Sequence, residues 1–302
     1  MGNIILTRDL TAAGVEFNEV RERRRRGDYE HLRRGAYVEP SELSKVQKHR
    51  LLVEATAQLA QSESVVSFGS AGVLHELPVT NPQIERVHLT RLRSNSGRIR
   101  PGVHVHVAPL DQSEVTRIDG MSVTSLDRTF LDLGRTGSYR TAVAVGDAAL
   151  RRGMDLAVAY DRIERAKGLR GIRTVRRAIT VIDGRAESVG ESYSRLIMLE
   201  HDLPKPDLQI EIIDGGFSAR VDFLWPGLKV VGEFDGKIKY GRLLRPGEDP
   251  GDVVFREKVR EDHLRDLGYI VVRWIWDDLL HPERLVARIL RALEAAERSR
   301  RC

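Results

Sequence analysis

The sequence predicts a mixed α/β chain of more than one domain, and three patterns carry that expectation. Near the N-terminus two short helical stretches, parted by a glycine turn, lead into two short strands. In the middle, the alternating stretches "IERVHLTRL", "GVHVHVAPL" and "SEVTRIDGMSVTS" read as strands set among helices. The C-terminal third reads as helix, three strands in series, helix, apolar strand and closing helix, the order αβββαβα. With 302 residues the chain is long enough for two or three domains with their own cores, and 41% hydrophobic and 31% charged residues describe an ordinary globular protein. The expected boundaries are 1–40, 41–183 and 184–302.

In residues 1–40, Thr7 is the expected cap of a short helix that stops at Gly14. A second helix runs from about Phe17 to Arg26, and Gly27 supplies its stop. "YEHLRRGAYV" then reads as two strands with Gly35 in the turn. Helix, tight turn, helix and basic β-wing is the order of a winged helix-turn-helix. With Phe17 and Val20 turned inward, Asn18, Arg21 and Arg25 form an outward stripe, and Arg33 and Arg34 sit on the wing. These five are the candidate DNA contacts of this block; the bland alternative is a solvated basic helix. The net charge of +5 is compatible with a nucleic-acid partner without singling one out, since an arginine-rich coding bias gives the same value.

Cys302 is the only cysteine, which leaves no intrachain disulfide or cysteine-based zinc site and fits a reducing cytoplasm. No apolar run approaches the roughly 20 residues a bilayer requires, and "MGNIILTRDL" lacks the features of a secretory signal, so no membrane partner is expected.

In residues 41–183, "SKVQKHRLLVEATAQLA" is an amphipathic helix, and "SVVSFGSAGVLHELPV" a strand end leading into another. "TSLDRTFLDLGR" and residues 139–180 are helical. His88, His104 and His106 raise a metal site, because His-x-His places two imidazoles on one strand face. Without a carboxylate or cysteine at ligand spacing, the expectation is strand-surface histidines. "FGSAGV" lacks the Gly-x-Ser-x-Gly spacing of a nucleophile elbow.

In residues 184–302 a helix carries Glu187, Glu191 and Arg195 at steps of four. "LQIEII", "ARVDFLW" and the strand beginning "LKVVGEFDGKIKY" form a meander, and a helix ended by Gly268 crosses over to "YIVVRWIW". That crossover is expected to return the fourth strand to the middle of a mixed sheet. Period two places Glu233, Asp235, Lys237 and Lys239 on one face of an apolar strand, where unpaired charge is expensive. Asp222 on the neighbouring strand and Glu191 on the helix add to this acidic cluster. A divalent cation would relieve the repulsion, and an oxygen donor set suits Mg²⁺ or Mn²⁺. Lys237 or Lys239 could then orient water and stabilise a phosphate, which is the equipment of metal-assisted phosphodiester hydrolysis.

These residues resemble the core of the PD-(D/E)XK nucleases. The closer resemblance is to the small bacterial endonuclease-like domains related to very-short-patch mismatch-repair endonucleases. The likeness spans about residues 184 to 285 and rests on Glu191-Ser192, Arg220-Val221-Asp222-Phe223, Glu233-Phe234-Asp235-Gly236 and the segment from Arg260 through Arg273. It implies a restriction-endonuclease-like αβββαβ fold. Asp222 and Glu233 would hold the metal with the carbonyl after Glu233, while Asp235 joins them or supports water. Glu191 would aid from the helix, and Lys237 or Lys239 would contact the scissile phosphate. Arg256, Arg260 and Arg273 would either contact the DNA backbone or pair with the site's carboxylates. The literal (D/E)-x-K falls on Asp235-Gly236-Lys237, because Asp235 stands two residues after Glu233.

Residues 1 to about 150 resemble the AbiEi-type antitoxins of abortive-infection toxin–antitoxin systems through "RRGDYEHLRRGAYV", "SAGVLHELPV" and "VTSLDRTFLDL". That likeness implies DNA binding through the winged helix, repression of the protein's own operon and a cognate toxin as partner. The chain lacks the helix that the family places before the one at Thr7, leaving the unit incomplete or completed by the helix from Ser44. The expectation is a Mg²⁺-dependent DNA endonuclease positioned by an antitoxin-like half. Its rivals are a repressor with a degenerate nuclease fold and a protein that binds nucleic acid without cutting it.

Overall fold

A computed structural model describes residues 4–59, 64–91, 98–236 and 250–301. It is a mixed α/β structure divided into two compact units, Met1–Val145 with Gly153–Thr180 and Gly146–Arg152 with Val181–Cys302. Residues 1–40 and most of residues 41–183 thus share one unit. Among the described residues no helix is long and apolar enough to cross a membrane.

The first unit opens with β1 (Ile4–Leu6), α1 (Thr7–Ala12), α2 (Phe17–Arg26), β2 (Glu30–Arg33), β3 (Ala36–Val38) and α3 (Lys45–Leu59). The strands form a sheet in the order β1-β3-β2. Leu6, Leu32, Ala36 and Val38 from these strands pack against Leu51 and Ala55 of α3. Thr7 is the first residue of α1 and not its cap, since Leu6 holds the cap position with extended backbone. Gly27 closes α2 in the left-handed conformation (φ 86°), which an L side chain adopts only with strain.

A six-stranded sheet follows, built from β4 (Val65–Val66), β5 (Val87–Arg91), β6 (Arg98–Arg100), β7 (Val103–Val107), β8 (Val115–Ile118) and β9 (Met121–Thr124) in the order β6-β7-β5-β4-β9-β8. Beside it lie α4 (Phe68–Leu74), α5 (Leu126–Thr136), α6 (Tyr139–Arg151), α7 (Leu156–Arg165) and α8 (Ile172–Ile179). Val66, Val87, Leu89 and Val123 of the sheet close a core with Val53 of α3 and Ala71 and Leu74 of α4. From Gly146 onward the end of α6 belongs to the second unit, for a local reason. Asp147 is fully buried there, and it accepts two hydrogen bonds from Arg195 Nη2 at 2.9 Å and one from the Asp183 backbone N–H at 2.7 Å.

The second unit contains α9 (Val189–Glu200), β10 (Asp207–Asp214), β11 (Phe217–Trp225), β12 (Val230–Asp235), α10 (Pro250–Asp266), β13 (Ile270–Ile275), α11 (Trp276–Leu280) and α12 (Pro282–Arg301). Its sheet order is β10-β11-β12-β13, antiparallel except for the last pair. The sheet is mixed as expected, but the fourth strand lies at its edge and not in its middle. β11 already holds one side of β12, so the helical crossover can dock β13 only on the other. Phe223, Trp225, Val230, Phe234 and Trp274 pack on one face with α9, α11 and α12. Ala219, Val221, Val231 and Leu264 pack on the other, under α10.

Candidate functional site

The first unit's candidate interface is α2 and the wing. Val20 is buried and fixes the helix, while Asn18, Arg21 and Arg25 are all exposed at spacings of three and four, forming a single stripe. Phe17, expected to face inward, is 56% exposed. Its ring lies on the outer surface, with the Arg21 guanidinium 4.8 Å from its centroid. It is the first residue of the helix, one turn before buried Val20. Arg23 and Arg26 are matched by Glu19 and Glu22 one turn earlier. Arg21, Arg24, Arg25 and Arg34 make no ion pair among the described residues, and all four are exposed. Arg33 departs from the expectation: its side chain turns inward, half-buried, to donate to Thr56 Oγ1 on α3. It therefore ties β2 to α3 instead of facing outward, because the β2–β3 register shifts between His31 and Arg33 and strict alternation fails there.

The second unit's candidate centre lies where two strand pairs part. β11 and β12 are paired only from Phe223–Gly232 through Trp225–Val230. Val221 points into the core under α10, whereas Phe223 points into the opposite one, so the strand changes face across Asp222. The residue beside it on β10, Gln209, has a left-handed backbone (φ 54°), and the same change of face occurs between Leu208 and Ile210. Strict alternation fails here, and the two polar side chains emerge at the kink.

Gln209 binds two carboxylates at once: Nε2 donates to Glu191 Oε2 at 2.8 Å and to Asp222 Oδ1 at 3.2 Å. Both partners are acceptors, which fixes the amide orientation. Asp222 Oδ2 accepts from the Phe234 N–H at 2.9 Å, so that residue offers Asp222 its N–H. Glu191 is buried near the start of α9, where Ser188 caps the helix and Glu191 Oε2 also accepts from the Glu187 N–H. α9 comes close because residue 190 is glycine: a Cβ there would stand 1.9 Å from the Phe234 ring. Glu187 itself precedes the helix, is exposed and pairs with Arg220.

Glu233 and Asp235 share a face of β12, as period two requires, yet their partners are arginines. Glu233 is 6% exposed; Oε1 accepts from Arg260 Nη2 at 2.7 Å and Oε2 from Arg273 Nη2 at 2.8 Å. Arg273 also reaches Asp235 at 3.3 Å, Glu257 at 2.5 Å and Glu261 at 2.9 Å, and Arg260 reaches Glu257 at 2.8 Å. Burial pushes the Glu233 carboxyl above its ordinary value, against the pull of the two guanidiniums. Arg256 is exposed on α10. Lys237 and Lys239 lie outside the described residues.

The Mg²⁺ or Mn²⁺ ligand set of Asp222, Glu233 and Asp235 does not fit this arrangement. The donors are the hard oxygens such an ion takes, but among the described residues no three carboxylates bring ligand oxygens within 4.8 Å of one another. Both Glu233 oxygens are held by guanidiniums instead. Sequence spacing missed Gln209, which has no motif around it. It also missed Glu257 and Glu261, whose spacing of four on α10, with Arg260 three residues after Glu257, was the available signal.

Two relatives from Mycobacterium tuberculosis align with the chain: "Uncharacterized protein MT2308" of strain CDC 1551 / Oshkosh and "Uncharacterized protein Rv2248" of strain H37Rv. Each is 35% identical over 205 residues, covering 66% of this chain and 72% of the relative. The chain belongs to their family. No family model matches it.

Proposed function

We propose that the chain is a DNA-binding protein whose contact surface is α2 and the wing of the first unit, acting as a regulator and not as a metal-dependent nuclease. The observation that carries this reading is the exposed stripe Asn18, Arg21 and Arg25, extended by Arg24 and Arg34 and free of ion pairs among the described residues. Unpaired guanidiniums on a rigid helix suit bidentate phosphate contacts, and asparagine at the front of the same stripe can reach a base edge. Buried Val20 anchors the opposite side of the helix.

A nuclease reading is favoured by a separate observation, the linkage of Glu191, Gln209 and Asp222 beside Glu233. It is opposed by the guanidinium clamp on Glu233. One experiment separates the two. The full chain is titrated into fluorescent duplex DNA, from the region upstream of its own gene and of unrelated sequence, at several salt concentrations. The same protein is incubated with plasmid, linear and mismatch-containing DNA in Mg²⁺, Mn²⁺ or EDTA. Binding whose salt slope falls by about 2 in the Arg21→Ala/Arg25→Ala variant, without cleavage in any metal, supports the regulator. Metal-dependent cleavage lost in Asp222→Ala and Glu233→Ala would replace it with the nuclease.

A further inference from the structure

We propose that the first unit carries a divalent transition-metal site, suited to Zn²⁺, formed by His88 of β5 with His104 and His106 of β7. β5 and β7 run parallel in direct register, with His88 opposite His104 and Thr90 opposite His106. All three side chains therefore rise on the same face of the sheet. Each offers one ring nitrogen such that all three nitrogens lie within 4.8 Å of one another. His88 Nδ1 and His106 Nε2 are 2.9 Å apart. Zn–N bonds of about 2.0–2.1 Å in a tetrahedral array place ligand nitrogens about 3.3 Å apart, so this pair needs a shift of only a few tenths of an ångström. His104, whose nitrogen lies within 4.8 Å of the other two, must turn out of its stack on His106 to complete the set.

The rings lie on the strand face as expected and are half-buried there. Their neighbours hold them in place. The Phe68 ring stacks on His106 at 4.0 Å between centroids, and the His104 ring stacks on the same His106 ring at 3.9 Å. Phe68 is buried with a left-handed backbone (φ 50°), a strained state for an aromatic residue that persists only where the surroundings enforce it. Behind the cluster, Ser70 Oγ accepts from the His88 N–H at 2.8 Å and lies 2.9 Å from His49 Nε2, which fixes the base of β5. Arg135 covers Phe68 at 5.0 Å and is paired with Asp132 at 3.0 Å, so its charge is balanced locally.

The chemistry fits a borderline-soft cation. Neutral imidazoles suit Zn²⁺, Co²⁺, Ni²⁺ and Cu²⁺, and the absence of a carboxylate from the set disfavours Mg²⁺ and Ca²⁺. Burial and mutual repulsion hold the His88 and His106 rings at about 4 and about 3, so both are neutral and able to coordinate at pH 7. Three protein ligands leave a fourth position for water or an external anion.

The test uses the full chain without a histidine tag, stripped with chelator and dialysed against Zn²⁺ or Co²⁺ alone. One metal ion per chain is expected, with the visible absorption of tetrahedral Co²⁺. His104→Ala and His106→Ala should each weaken binding by more than the about 10–100-fold that follows loss of an outer-shell partner. Because a β7 variant can lose its fold, imidazole ¹⁵N resonances of the unaltered protein are also followed during Zn²⁺ addition. Saturable shifts of three histidines at one equivalent support the site. Less than one equivalent bound, or binding that leaves these three resonances unmoved, overturns it, as does undiminished binding by folded His104→Ala and His106→Ala.

Discussion

The two units each set a polar cluster on the face of a sheet, and they solve the problem of burying it in opposite ways. On β5 and β7 three histidines lie together with no carboxylate among them, and burial strips their charge. On β12 and β13 Glu233 and Arg273 face each other in register, with Arg260, Glu257 and Glu261 from α10 and Asp235 on the same strand. A guanidinium does not lose its proton in a protein, so the second cluster can be buried only by matching charges. An imidazole can, so the first is buried as a neutral set. The first kind of cluster is ready for a cation from outside; the second already contains its own.

The sharpest way to break that comparison is Arg273→Ala. It should leave Glu233, Asp235, Glu257 and Glu261 together with Arg260, which pairs with Glu233 and Glu257, and Arg265, which pairs with Glu261, and cost the second unit about 3–5 kcal/mol in denaturant unfolding. Adding Glu233→Gln should recover part of the loss. If Arg273→Ala unfolds at the same denaturant concentration as the parent, the charges are solvated and the matched-cluster account fails.

A smaller effect is expected where α9 meets β12. Gly190→Ala should cost about 1–3 kcal/mol, because its methyl group enters the Phe234 ring position and forces the helix outward. The displacement should also lengthen the Glu191–Gln209 contact, visible as a changed Gln209 side-chain amide shift in NMR spectra.

The smallest effects are in pH, and they have opposite signs in the two clusters. His88 and His106 titrate lower in the folded than in the unfolded chain, so the unfolded state takes up protons first as pH falls. Each should cost at most about 0.7 kcal/mol between pH 7 and pH 6 in chelated protein, and the cost should grow as pH falls towards 4. The groups around them (His49, His104, Arg86, Arg128 and Arg135) all oppose protonation. Replacing His106 by phenylalanine should flatten this dependence. Glu233 has a raised folded value, so its stabilising contribution is complete below the unfolded carboxyl pKa and is lost as pH rises through the folded one. The parent should therefore lose stability relative to Glu233→Gln as pH rises from about 4, and a gain would contradict the sign.

Much of the architecture was legible in the residues themselves. Gly27, Gly35 and Gly268 end or turn elements where expected, all with left-handed backbone, and the alternating apolar stretches became strands. Helical spacing put Asn18, Arg21 and Arg25 on one exposed stripe, and period two put Glu233 and Asp235 on one face of β12. Such relations are local: the backbone geometry of a helix or strand fixes them within a few residues. What the tertiary structure decided is everything that depends on partners far along the chain. Arg260 and Arg273 are 27 and 40 residues from Glu233, and no local rule states that they pair with it. Gln209 joins Glu191 to Asp222 only because two strands kink together. His88 meets His104 and His106 through a strand pairing whose register is set by the hydrophobic face beneath it, a constraint that exists only once the sheet has formed.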